Sequence, residues 1–253
     1  TITTISILVN QEISVTGGSN ILTTTGIRWS SQPFASAYGT GTRTFSLTPT
    51  ISGITIDSVT GVVTVIETMT PQIYYETVVA TDILGVKGYK AMTITVASAL
   101  VFTGGSRINT TYGIPLSSTA FVAINGTQTR TYAISPPNPY ISINSTTGVI
   151  TAAAGLGDTS TSMTYWETIT ATDSVGATAE TVTLITVNPK IVISGGDTYV
   201  VTTNTLAKNS NPFIATNGTG TLVFSIAPTY SGITINQSGV VNIDSATVAG
   251  TYY

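Results

Sequence analysis

"YYETVVATD" runs from Tyr74 to Asp82, and "YWETITATD" runs from Tyr165 to Asp173, an offset of 91 positions. Two acids at one spacing, met twice, suggest a catalytic or metal-binding constellation. The alternation around them suggests one strand of a fold used twice. With a side-chain period of two, Tyr74, Glu76, Val78, Ala80 and Asp82 share a face, as do Tyr165, Glu167, Ile169, Ala171 and Asp173. The opposite face of the first string, Tyr75, Thr77, Val79 and Thr81, is wetter without being cleanly polar.

Working outward, the whole neighbourhood of the string recurs. "GTRTFSLTP" (41–49) returns as "QTRTYAISP" (128–136) and "GTLVFSIAP" (220–228). "GITIDSVTGVVTV" (53–65) returns as "YISINSTTGVITA" (140–152) and "GITINQSGVVNI" (232–243). Gly-Gly stands at 17–18, 104–105 and 195–196, so the period is close to 90 residues, the size of an autonomous β-domain and above the repeat length of solenoids. "TTISILVNQEISVTGG" (3–18) aligns without gaps on "TVTLITVNPKIVISGG" (181–196). Residues 1–9 therefore read as the last strand of a preceding repeat. Three units follow, at 10–97, 98–188 and 189–253, the third expected to lack its two final strands. The chain reads as a fragment of a longer array.

Each unit is all-β by its local pattern. Alternation runs through "TFSLT", "GITID" and "MTITV", filled by Thr, Val, Ile and Tyr and punctuated by Gly and Pro. About seven short antiparallel strands per unit fit a sandwich with Greek-key connections.

Composition narrows the chemistry. The 253 residues include no Cys and no His, and only 8% are charged, against about 25% in an ordinary soluble domain. Hydroxyls take the place of charge, with 52 Thr and 25 Ser. Thiolate chemistry, disulfides and histidine acid–base catalysis are excluded, so the chain is expected not to be an enzyme and to need no cofactor. A net charge of −3 without a basic cluster argues against nucleic acid, and no apolar run is long enough to insert in a membrane.

The order "SVTGVVTV … YYETVVATDILG … MTITV" resembles the cadherin-like and Ig-like tandem repeats of bacterial and viral surface proteins. The resemblance covers all three units. It implies seven-stranded cadherin-like sandwiches placed outside a cell or on a virion surface, working as stalk, fibre or surface-layer component. A second reading is an adhesin that binds a glycan or surface receptor, or a protein decorating a capsid. Neighbouring repeats and further copies of the chain are the expected partners.

Individual residues are weighed on that background. Asp82 and Asp173 precede Gly by three positions, a turn signature in which the carboxylate accepts backbone N–H groups. Cadherins place a calcium ligand at such an Asp. Calcium needs roughly six to eight oxygen ligands, and the linkers "TVASALVFTGG" and "ITVNPKIVISGG" hold no acid, so both residues are weak calcium candidates. Arg43, Phe45 and Leu47 share a strand face, as do Arg130, Tyr132 and Ile134. That strand and the "ETVVATD" strand are expected to be neighbours, and the expectation is an inward ion pair joining Arg43 to Glu76 and Arg130 to Glu167. Leu222 takes the arginine position in the third unit. Trp166 falls on the outer face. Trp29 and Trp166 lack Trp counterparts in the other units and are candidate contacts for a glycan or neighbour. The five Asn-X-Ser/Thr sites, at Asn109, Asn125, Asn144, Asn217 and Asn236, are no more than chance gives in so hydroxyl-rich a chain.

Overall fold

Nine short strands build the first unit: β1 (Ser14–Gly17), β2 (Ile21–Thr24), β3 (Trp29–Ser30), β4 (Phe34–Ala37), β5 (Thr44–Thr48), β6 (Ile54–Ile56), β7 (Val63–Val65), β8 (Gln72–Thr81) and β9 (Lys87–Ala97). The computed structural model describes residues 3–18 and 20–253. Positions 1 and 2 of the segment read as a preceding unit's strand lie outside them. Residues 3–13 form no strand, and Ile5, Ile7, Leu8 and Val9 are exposed.

One layer has the order β2-β9-β8-β5. The other is assembled from β3-β7-β6 and, beside it, β1-β4. If β3 and β4 are taken as two halves of one strand, the chain follows the scheme A-B-E-D facing A′-G-F-C, a two-layer Greek-key sandwich. The second unit repeats it strand for strand: β10 (Val101–Gly104), β11 (Ile108–Thr111), β12 (Leu116–Ser117), β13 (Phe121–Ile124), β14 (Thr131–Ser135), β15 (Ile141–Ile143), β16 (Ile150–Ala152), β17 (Met163–Thr172) and β18 (Thr178–Asn188). Its layers are β11-β18-β17-β14, and β12-β16-β15 beside β10-β13. In both units the A′ and G strands run parallel, with Ile21 opposite Ile94 and Ile108 opposite Ile185.

Alternation sets the core. In β5 the side chains of Phe45 and Leu47 are buried between exposed Thr44, Ser46 and Thr48. In β8 the inward set includes Tyr74, Glu76, Val78 and Ala80. These residues close on Ile54, Val63 and Val65 of the opposite layer to make the first core. Tyr132, Ile141, Ile150, Ile169, Ala171 and Ile185 do the same in the second. Burying one such aliphatic or aromatic side chain contributes about 1.5–3 kcal/mol.

The turn between the sixth and seventh strands shows how tightly the pattern is set. Asp57 Oδ1 accepts the N–H groups of Val59 and Thr60, and Asn144 Oδ1 accepts those of Thr146 and Thr147. The turn ends on Gly61 or Gly148, each with positive φ and each lying directly beneath the backbone carbonyl of a core phenylalanine, Phe34 or Phe121. A side chain at that glycine would occupy the space of the carbonyl oxygen.

The third unit contains β19 (Val192–Gly195), β20 (Lys208–Asn209), β21 (Phe213–Thr216), β22 (Ile233–Ile235) and β23 (Val241–Ile243). They pair as β19-β21 and β20-β23-β22, which is the A-B-E-D layer again. Among the described residues no strand forms the facing layer, and the stretch from Val223 to Ala227 that matches β5 is not in a strand. Tyr230 and Tyr252 stack edge to face over the uncovered inner side, leaving a cleft of about 390 Å³. Among the described residues no helix is long and apolar enough to cross a membrane.

Candidate functional site

The recurrent Ala-Thr-Asp turn closes the pole at which each sandwich's final hairpin begins. In the first unit Asp82 Oδ1 accepts the N–H groups of Leu84 and Val86, at 3.0 and 2.9 Å. Its Oδ2 accepts the N–H of Thr40 at 2.8 Å, joining this turn to the loop before β5. Asp173 is held in the same way, by Val175 and Ala177 on Oδ1 and by Thr127 on Oδ2. The Thr40 donor, with those of Val86, Leu84 and Gly85, holds the Asp82 carboxyl below its ordinary value. Burial pushes Asp173 upward, but the donors from Thr24, Thr127 and Ala177 outweigh it and the net shift is also downward. Inward-pointing N–H dipoles make both carboxylates turn caps.

Asp173 has one further donor. Thr24 Oγ1, from the end of β2 in the preceding unit, donates to Asp173 Oδ2 at 2.5 Å across a buried contact. Sequence reasoning missed this bond.

The inward placement of Glu76 and Glu167 is as expected, with each 2% exposed. The expected partners are not beside them. The antiparallel register sets Phe45 opposite Ala80 and Thr48 opposite Thr77. Arg43 therefore falls at the Asp82 end of the strand pair and Glu76 at the other, about 20 Å away at the rise of an extended strand. Arg43 donates instead to Ser36 Oγ at 2.9 Å and to the carbonyl oxygens of Tyr38 and Gly41. Arg130 donates through Nε and Nη2 to the carbonyl of Asn125. Tyr38 and Asn125 are equivalent residues, both at φ 65°. The arginine closes the turn before β5 or β14, and the ion-pair expectation is corrected on this geometry. Sharing a face is not enough to bring two residues together.

Both carboxylate oxygens of Glu76 and Oε2 of Glu167 are buried without a hydrogen-bond partner among the described residues. Burial pushes both carboxyls above their ordinary value, because the charged form loses more solvation than the neutral acid. They sit on the inner face of the sandwich, out of reach of solvent.

The outer face holds the aromatic residues. Trp166 is 68% exposed and Tyr75, its counterpart, equally so. Trp29 lies at the edge of exposure in β3. The potential glycosylation positions are spread over structural roles: Asn144 and Asn236 cap turns, Asn125 and Asn217 adopt positive φ, and Asn109 accepts from Asn188.

No family model and no curated protein matches the chain. Among solved structures, immunoglobulin domains 1–5 of Sidekick-1 match with TM-score 0.47 at 11% identity, covering 94% of this chain and 54% of that one. Three immunoglobulin domains of a titin variant match with TM-score 0.44 at 11% identity, over 92% of this chain and 88% of that one. A protocadherin gamma B2 structure of extracellular cadherin domains 3–6 matches with TM-score 0.35 at 13% identity, over 70% and 50%. The chain thus spans about half the length of the Sidekick-1 and protocadherin structures. Its own sheets carry the assignment, through the order A-B-E-D facing A′-G-F-C in two successive units and half of that scheme in a third. The chain is a tandem array of Ig-like, cadherin-like β-sandwiches.

Proposed function

We propose that this array is a non-enzymatic spacer, a stalk, fibre or surface-layer component outside a cell or on a virion, with repeats at 10–97, 98–188 and 189–253. The observation that carries the reading is the direct bond from Thr24 to Asp173, which joins one sandwich to the next through a buried polar contact. Spacing needs successive units held in a defined relation, and this contact supplies one. The surface supports it too, since Ser and Thr hydroxyls in place of charge solvate the array without attracting charged partners. The acids of the recurrent string fit the same reading. Glu76 faces the core and Asp82 is occupied by N–H donors, so neither is presented to a substrate.

Small-angle scattering of residues 10–188 tests it. A spacer gives a rod whose maximum dimension approaches two sandwich lengths end to end. A compact, folded-back pair would overturn the reading.

A second reading, adhesion, is favoured by one observation, the exposed Trp166 on the outer sheet face. An indole standing out of a sheet offers a stacking platform for a sugar ring. Binding to a glycan panel that disappears on Trp166→Ala would favour the adhesin, and no binding above background would leave the spacer alone.

A further inference from the structure

A threonine loop recurs at the pole opposite the Ala-Thr-Asp turn. It reads "TTTGI" at 23–27, "TTYGI" at 110–114 and "TTNTL" at 202–206. In each, the first threonine hydroxyl donates to the carbonyl four residues on, Thr23 to Ile27, Thr110 to Ile114 and Thr202 to Leu206. The N–H of that fourth residue returns to the carbonyl of the second threonine, at 2.9–3.0 Å in all three. The position before the last has positive φ each time, at Gly26, Gly113 and Thr205. The loop is thus one rigid device built three times.

Its second threonine is the residue that leaves its own sandwich. Thr24 donates to Asp173 Oδ2 of the next unit. Thr111 donates to Thr219 Oγ1 of the next unit at 2.9 Å, beside Asn188, which donates to the same oxygen. Thr219 is the third unit's counterpart of Thr127, whose N–H shares Asp173 Oδ2 with Thr24. Both junctions therefore aim the same threonine at the same address. At the first junction Ile27 also packs against the core cluster of the second unit, so an apolar contact flanks the polar one.

We propose that the second threonine of this loop and the aspartate of the Ala-Thr-Asp turn form a metal-free latch that sets the angle between successive sandwiches. The aspartate's two oxygens divide the work. Oδ1 holds its own turn, and Oδ2 takes one N–H from its own unit and one hydroxyl from the unit before. Asp82 has the same three backbone donors, and the fourth position, filled by Thr24 at Asp173, marks where a preceding sandwich of this kind would add its threonine. A buried hydroxyl-to-carboxylate bond is charge-assisted, stronger than a neutral one and directional, which a greasy contact alone is not. The inference concerns the contact between repeats and holds whether the array spaces or binds.

The absence of cysteine makes the test direct. Ser46→Cys and Ala133→Cys place one spin label on an exposed position of β5 and one on its counterpart in β14. Pulsed dipolar measurement of residues 3–253 then reads the distribution of distances between the two units. Thr24→Val, which keeps the shape and removes the donor, is expected to broaden that distribution roughly twofold, since a small polar junction without its bond leaves domains to move. Thr24→Ser should restore the parental width, a rescue that lost packing would not show. Asp173→Asn gives an independent second break. Chelator or millimolar calcium should leave every width unchanged. Thr24→Val with the parental width, in a protein whose melting is unaltered, overturns the latch, and so does a parental distribution that narrows on adding calcium.

Discussion

Glu76 and Met92 are cross-strand partners on the inner face of the first sandwich, both almost fully buried, and the thioether offers the carboxyl no strong hydrogen bond. In the second sandwich Thr183 takes the place of Met92 opposite Glu167. A buried acid whose oxygens lack a hydrogen-bond partner destabilises the fold that contains it. Replacing it with an apolar residue of similar volume is therefore expected to stabilise. Glu76→Leu should raise the unfolding free energy by about 1–3 kcal/mol at neutral pH, the usual cost of a buried polar group without a partner. Urea melts of residues 10–97 and of the variant check this, and a fall in stability would show that Glu76 has a polar role.

The pH dependence follows with its sign. Burial raises the folded-state value of Glu76 and Glu167 above their ordinary 4.5, so the folded chain holds more protons than the unfolded chain above that pH. Stability from these groups is fully present below about pH 4.5 and is lost as pH rises through the folded value. Asp82 and Asp173 act the other way. Their lowered values give stability that is present above 3.8 and lost as pH falls further. The melting temperature should therefore peak on the acid side, between these two windows. Glu76→Gln with Glu167→Gln should flatten the decline toward neutral pH and leave the acid limb unchanged. A decline of equal slope in the double variant would refute the assignment.

Arg43 and Glu76, set apart by the register of β5 on β8, are expected to be energetically independent. Arg43→Leu removes turn-closing hydrogen bonds at a partly exposed site and should cost no more than about 1 kcal/mol. The third unit supports that mildness, because Leu222 holds the position while Asn217 keeps the same positive-φ turn. Arg43→Leu combined with Glu76→Leu should give the sum of the single effects. A coupling energy above about 0.5 kcal/mol would mean that the two side chains meet.

Gly61→Ala should be far more damaging than its size suggests. The added methyl group would stand 2.5 Å from the carbonyl oxygen of Phe34, and φ there is 69°. A loss of about 2–3 kcal/mol is expected, from backbone strain together with displacement of a core phenylalanine. Gly85→Ala is the control. It has similar positive φ but open space around it, so the conformational part alone remains. Thermal melts of the two variants separate the clash from the strain.

What the chain discloses and what it hides divide along one physical line. Alternation tells which face a side chain takes, so Phe45, Leu47, Val78 and Ala80 were readable as core and Trp166 as outer. Adjacency of β5 and β8 followed from the strand order of an Ig-like sandwich, in which the C and F strands are neighbours. Register along that pair was not, because 23 residues, including β6 and β7, separate Thr48 from Gln72 and no hairpin fixes the alignment. Arg43 was therefore set against Glu76, on the right face and at the wrong end. The latch was hidden for another reason. Thr24 and Asp173 lie 149 positions apart, and one threonine among 52 carries no visible mark.

The parallel pairing of β2 with β9, and of β11 with β18, has a mechanical consequence. These strands stand near the entry and exit of the chain in each sandwich, and they run side by side in one direction, Ile21 to Thr24 along Ile94 to Ala97. Pulling the two ends of a sandwich apart draws such strands past each other lengthwise. Their ladder bonds then bear load in shear, all at once, where a hairpin pulled at its open end would unzip bond by bond. Resistance to stretching is a rate of forced unfolding, and it rises when several bonds must break together. In the first and second sandwiches, strand direction alone would therefore turn a pull on the chain into shear between two parallel strands.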